Sequence, residues 1–198
     1  MPSPELVEYQ GTISQNLRDI YPNVPVELEW ASTFDNNMYS PRVDIAVGPF
    51  ALEHDMRLTE DYDHLMNDSR DFVHRLIRHH LRNVEGLDDQ APVGEVQRHL
   101  DKIFEHLTQK NQNARCFLAI EIENQVTRKH LMGSAINAAA LGRIGIAVAW
   151  TDEKLRAFVR LHRYFNFIYD VKNNTFDISN LLIVSSRQLQ IASEWGQA

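Results

Sequence analysis

RCFLAIEIENQVTRKHLMGSAINAAALGRIGIAVAW, residues Arg115 to Trp150, is the stretch that decides the fold of this chain. It opens on Cys116–Glu123, an apolar run with the length and composition of a buried strand. Two carboxylates interrupt it at spacing two. Strand alternation puts Glu121 and Glu123 on one face and Ile120 and Ile122 on the other. Like charges on a core strand are costly unless a cation or hydrogen-bond donors compensate. The pair therefore reads either as the solvated face of an edge strand or as a metal site, and the apolar flanks argue for a central strand. Thr127–Gly142 reads as a helix, with Thr127 as N-cap and Leu131, Ala135, Ile136, Ala138 and Ala139 as a small-residue face. Gly142 marks its C-terminal cap, and GIAVAW (145–150) is the next buried strand. A strand, helix, strand unit implies a right-handed parallel crossover.

Upstream, residues 3–20 form a first helix, with Ser3 as cap, Pro4 in the first turn and Glu5 at the positive end of the dipole. Leu6, Tyr9, Ile13, Leu17 and Ile20 make its apolar stripe. Residues 24–31 alternate Val26, Leu28 and Trp30 against Glu27 and Glu29, a half-exposed strand. After a turn-rich segment, PRVDIAVGPF (41–50) supplies a second strand with Val43, Ile45 and Val47 on one face and Asp44 and Ala46 on the other; the two strands pair as a hairpin. Asp44 admits the same two readings as Glu121, a satisfied structural carboxylate or a metal ligand.

Residues 51–112 read as a helical insertion, with helices over 59–82 and 94–109 separated by EGLDDQAPVG. The first ends in HRLIRHHLR. Its arginines Arg75, Arg78 and Arg82 fit a solvated capping face or a phosphate-contacting one. The histidines do not have ligand spacing: His79 and His80 diverge, and His74 to His79 is five residues rather than four. Thr151-Asp152 starts a helix to about Phe167 that carries Lys154, Arg156, Arg160 and Arg163. FDISNLLIVS (176–185) is a last strand and SRQLQIASEW (186–195) a closing helix.

With 198 residues and one cysteine, the chain suits a single domain over 1–198 and excludes an intramolecular disulfide or multi-thiolate zinc site. Cys116 reads as a small buried hydrophobe. No apolar run spans a bilayer and the N-terminus has no signal pattern, so no membrane partner and a cytoplasmic location are expected. A net charge of -7 disfavours a surface basic all over, though not local basic faces.

Helix, strand, Asp-bearing strand, Glu-x-Glu strand, helix, strand is an order that resembles the PD-(D/E)XK nucleases, the restriction-endonuclease-like superfamily. Pro41-Arg42-Val43-Asp44, Glu121-Ile122-Glu123 and the helix bearing Lys129-His130-Leu131 carry the resemblance. It implies an α/β fold with a restriction-endonuclease-like core, a mixed central sheet flanked by helices, and a DNA endonuclease dependent on Mg²⁺ or Mn²⁺. Asp44 and Glu121 would hold the metal, with the carbonyl of Ile122 as a third oxygen. The sequence departs from the family in having Glu123 where a lysine is usual. Some members have Glu there, and in others the lysine has moved to the following helix, where Lys129 stands. Either Glu123 or Lys129 would position water. The wide interval from Asp44 to Glu121 is filled by the helical insertion. Some members carry an acid on the first helix, for which Glu8 is the candidate.

Three functions are therefore expected in turn: a metal-dependent nuclease, with a homodimer suited to double-strand cleavage; a catalytically inactive nuclease-fold module that binds nucleic acid or a protein; and a carboxylate-based metal hydrolase on another fold, which the absence of a shared Asp44/Glu121 pocket would indicate.

Overall fold

The computed structural model describes residues 3–32, 41–53, 55–88, 90–124, 128–172 and 177–194, without the side chains at 128 and 172. In chain order these form α1 (Pro4–Ile20), β1 (Val26–Ala31), β2 (Arg42–Val47), α2 (Thr59–Asp68), α3 (Arg70–Val84), α4 (Val93–Thr108), β3 (Cys116–Glu123), α5 (Arg128–Leu141), β4 (Gly142–Ala149), α6 (Asp152–Lys172), β5 (Leu181–Ser185) and α7 (Ser186–Glu194). The fold is α/β, with seven helices around a five-stranded mixed open sheet among the described residues. Strands lie in sequence order, β1-β2-β3-β4-β5. β1–β2 and β2–β3 are antiparallel, while β3–β4 and β4–β5 are parallel. β3 is the central strand and every residue in it is buried, as the apolar run of Cys116–Glu123 requires.

Helices cover both faces. On one, Leu6, Ile13 and Leu17 of α1 join Phe72, Leu76 and Ile77 of α3, Phe104 of α4 and Leu189 of α7 over Ile45, Ile120, Ile146 and Val184. On the other, Ala135 and Ala138 of α5 and Phe158 and Phe165 of α6 pack on Ala147, Ala149 and Ile183. The small-residue face of α5 is needed at Gly145: a Cβ there would lie 2.7 Å from the backbone carbonyl carbon and oxygen of Ala138. Ser3 caps α1 by accepting from the Leu6 N–H at 3.3 Å, and Thr151 Oγ1 accepts from the Lys154 N–H at 3.3 Å. The proposed cap Thr127 lies outside the described residues, as do the turn at 35–37, Phe176 and Trp195. Among the described residues, no helix is long and apolar enough to cross a membrane.

Several expectations change. The helix read over 59–82 is two, broken at Ser69. The Ser69 hydroxyl donates back to the Leu65 carbonyl at 2.7 Å and accepts from the buried Tyr21 hydroxyl at 2.9 Å, so the side chain competes with the helical ladder. Ser69→Ala strands the Tyr21 hydroxyl and is expected to cost about 1–3 kcal/mol; Tyr21→Phe leaves Ser69 bonded to Leu65 and should cost about 1. Urea unfolding of the two variants checks the order. Within the 51–112 segment read as an insertion, α3 docks on β5 and supplies much of one core face. The last strand begins at Leu181 rather than 176, because Asp177 accepts from the Ser179 N–H and Asn180 donates to the Ala139 and Gly142 carbonyls, which fixes a turn. Gly142 opens β4 directly instead of standing apart as a cap.

The alternation of β1 fails too. Val26 packs with Ile45 and Val47 on the α1 face, whereas Trp30 packs with Val43 and Ala46 on the other; Leu28 is 45% exposed. Glu29, between them, has φ +53°, a left-handed conformation that a strand residue other than glycine rarely adopts. β1 changes face there, and in β2 Val43 groups with Trp30 and Ala46 rather than with Ile45.

Candidate metal centre

The β2–β3 ladder closes with Ile45 opposite Ile120, which puts Asp44 opposite Glu121 at the next position. On the other flank of β2, Leu28 faces Ile45 and Trp30 faces Val43, so Glu29 stands across from Asp44. Three carboxylates from three adjacent strands thus lie in one row, Glu29–Asp44–Glu121. Glu123 is two residues further along β3, on the face of Glu121. Pairing of β2 with β3 ends here because the Asp44 side chain replaces a main-chain acceptor: its Oδ2 accepts from the Ile122 N–H at 2.6 Å. The N–H and C=O of one strand residue point the same way, so the Ile122 carbonyl also faces the β2 side.

The row is sunk into the sheet. Glu121 is 9% exposed and Glu123 3%; Asp44 is partly buried. α5 lies over them and supplies two donors: Asn137 Nδ2 donates to Glu121 Oε1 at 3.1 Å, and the Ser134 hydroxyl donates to Glu123 Oε2 at 3.2 Å. Arg42 pairs with Glu29 at 2.9 Å, on the exposed edge. These donors do not balance the charge. Burial, and then the charge of Asp44, push the Glu121 carboxyl up to about 8 against the Asn137 hydrogen bond. Burial pushes Asp44 up to about 6, opposed by the Ile122 N–H and reinforced by Glu29 and Glu123.

Those shifts fix a pH dependence. Both acids hold their protons to higher pH in the folded chain than their ordinary 3.8 and 4.5, so the native state binds the extra protons and loses stability as pH rises. The buried His80 acts oppositely: burial holds it down to about 3 from 6.5, so it destabilises the fold only in acid. Between 6.5 and 8 the Glu121 effect stands alone of the three. Over that window, metal-free stability should fall by about 2 kcal/mol, at roughly 1.4 kcal/mol per pH unit for one proton. Thermal melts in EDTA measure it; a flat profile contradicts the buried carboxyl.

Asp44, Glu121 and Ile122 are therefore together, with Glu123 beside them. Lys129 is exposed in the first turn of α5. Glu8 is exposed on α1, across the sheet from α5, and stands apart from the row. Among the described residues no three His, Cys, Asp or Glu side chains gather as a metal-holding cluster. The set expected here differs, being two carboxylates and one main-chain oxygen. Oxygen-only donors of this kind fit Mg²⁺ or Mn²⁺, and carboxylates gathered in a buried site are what a divalent cation would neutralise. Sequence reasoning missed Ser134, Asn137 and Glu29. The first two had a signal, as polar residues three apart within an alanine-rich helix; Glu29 had none, because its place follows from the register of β1 on β2.

The His80–His162 pair is structural. His80 Nδ1 accepts from the Ile183 N–H at 2.9 Å, and its ring meets His162 edge-on at 5.2 Å between centroids, which joins the basic helices α3 and α6. Cys116 is fully buried, with its Sγ on the Leu141 carbonyl and its thiol pushed up by burial. Compared with family models, curated proteins and solved structures, the chain matches none.

Proposed function

We propose that this protein is a phosphodiester hydrolase dependent on Mg²⁺ or Mn²⁺, a DNA nuclease with a PD-(D/E)XK-type, restriction-endonuclease-like core. One observation carries the reading: Asp44 and Glu121 face each other across β2 and β3, partly or fully buried, with burial raising the proton affinity of both and the Asp44 charge raising that of Glu121 further. Structural carboxylates in a core are normally paired with cations; the hydrogen bonds to Asp44 and Glu121 come from neutral donors, and Arg42, paired with Glu29, acts on Asp44 only from the exposed edge.

Asp44, Glu121 and the Ile122 carbonyl would hold the ion. When bound, the ion would acidify a water and stabilise charge on the scissile phosphate. The Ile122 N–H fixes the Asp44 carboxylate, and Asn137 fixes Glu121, so both acids are oriented before any ligand arrives. Glu123, held by Ser134, would accept a hydrogen bond from the attacking water; Lys129 would act from the start of α5. The strand order and the parallel β3–α5–β4 unit support the family reading as topology only.

Cleavage of supercoiled plasmid and of single-stranded DNA tests this. Activity should require Mg²⁺ or Mn²⁺, stop in EDTA and be lost in Asp44→Asn. Activity equal in wild type and variant would refute it. The inactive-module reading gains from Glu123, an acid where the family usually has lysine, and it predicts metal or nucleic-acid binding without cleavage. A homodimer belongs to the nuclease proposal and is checked by sedimentation on DNA.

A further inference from the structure

The outer side of α6 takes no part in the metal centre or the core. Its inner side carries Lys154, Phe158 and Phe165, all buried. Opposite them, at spacings of four, three and four, stand Arg156, Arg160, Arg163 and Phe167, all exposed on one helical face. Tyr164 flanks this stripe; it is 51% exposed and Phe167 62%. From Arg156 to Tyr169 the helix contains no Asp or Glu. Among the described residues, none of the three guanidinium groups pairs with a carboxylate. On a chain of net charge -7, a face with three unneutralised arginines selects an anionic partner. The exposed rings between them select one with flat apolar faces. Phosphates alternating with bases have both properties, and only unpaired bases offer their faces to a protein.

We propose that the α6 stripe, Arg156, Arg160, Arg163, Tyr164 and Phe167, is a docking track for single-stranded nucleic acid. The proposal rests on the phosphodiesterase reading and deepens it. α6 begins at Asp152, two residues after Trp150, whose N–H donates to the Glu123 carbonyl at 3.2 Å, so the N-terminal end of the helix that carries the track adjoins the strand end that carries Glu123. Arg156 to Phe167 spans about 16 Å at ~1.5 Å per residue, the length of about five nucleotides at 3.4 Å. Arginines hold the backbone and the aromatic rings stack on bases.

Anisotropy titrations of a short labelled oligothymidylate, in EDTA so that nothing is cut, test the track against salt. Replacing the three arginines together by alanine should reduce the magnitude of the log–log salt slope by about 2, at ~0.7 per phosphate contact. Tyr164→Ala with Phe167→Ala should weaken binding about fivefold or more and leave the slope unchanged. All five positions are exposed, and unchanged melting temperatures exclude misfolding. Failure of wild type to bind the oligonucleotide, equal affinity in both variants, or a preference for duplex would overturn the track. So would sedimentation in which the substitutions dissociate a dimer without altering oligonucleotide affinity. Mn²⁺ binding measured on the same variants separates the two ideas: it should persist when the track is removed, and its absence in wild type sinks the metal reading while the titrations still decide the track.

Discussion

Glu121→Gln is expected to abolish cleavage and at the same time make the metal-free protein more stable at pH 8. The two effects have one cause. Glu121 is 9% exposed, opposite Asp44 and beside Glu123, and its carboxyl is pushed up to about 8. At pH 8 about half the molecules carry that buried charge, and every carboxylate in the row pays for it in repulsion. Glutamine has the same shape, keeps an oxygen for the Asn137 amide and adds a donor toward Asp44. Removing the charge should return up to about 4 kcal/mol, a rise of about 8–16 °C in melting temperature for a chain of this size. Loss of a metal ligand should lower the cleavage rate by at least about a thousandfold. A variant that is inactive yet more stable than wild type cannot owe its inactivity to unfolding. Melts at pH 8 in EDTA, beside plasmid cleavage in Mg²⁺, measure both; a destabilised variant, or one that still cuts, contradicts the role given to Glu121.

Gly145→Val is expected to damage the fold severely. The new Cβ would meet the Ala138 backbone at 2.7 Å and the Ala139 nitrogen at 2.8 Å, and neither is the end of a side chain that could move aside. α5 would have to lift from β4, with loss of the packing of Ala135 and Ala138, both wholly buried. Overpacking against backbone at such a site should cost about 3 kcal/mol or more. Because α5 also carries Ser134 and Asn137, the donors to Glu123 and Glu121 would go with it. Gly133 is the control in the same helix: nothing lies within 4 Å of its Cβ position, so Gly133→Ala should stabilise by up to about 1 kcal/mol. Chemical denaturation of the two variants checks both signs.

The legible parts of the sequence were those in which one local signal decides the structure. Cys116–Glu123 and the strand after α5 are apolar enough to be buried on both faces, and the alanines of α5 declare a close helix–sheet contact. Asp44 and Glu121 could be named as partners because each breaks an apolar strand. What stayed hidden depends on contacts between distant segments. Ser69 splits α2 from α3 because Tyr21, far away in sequence, docks on its hydroxyl. Glu29 looked like one more solvated acid on an alternating strand; only the β1–β2 register sets it across from Asp44. The segment read as an insertion proved to supply core, since the amphipathic pattern of α3 does not reveal that its partner is β5.

Isothermal titration with Mn²⁺ of wild type, Asp44→Asn and Glu121→Gln at pH 7.5 is the most direct test of a divalent-cation site between β2 and β3. One site per chain in wild type, lost in both variants while their melts remain cooperative, is the expected result. Binding equal in all three proteins, or none in wild type, would contradict it.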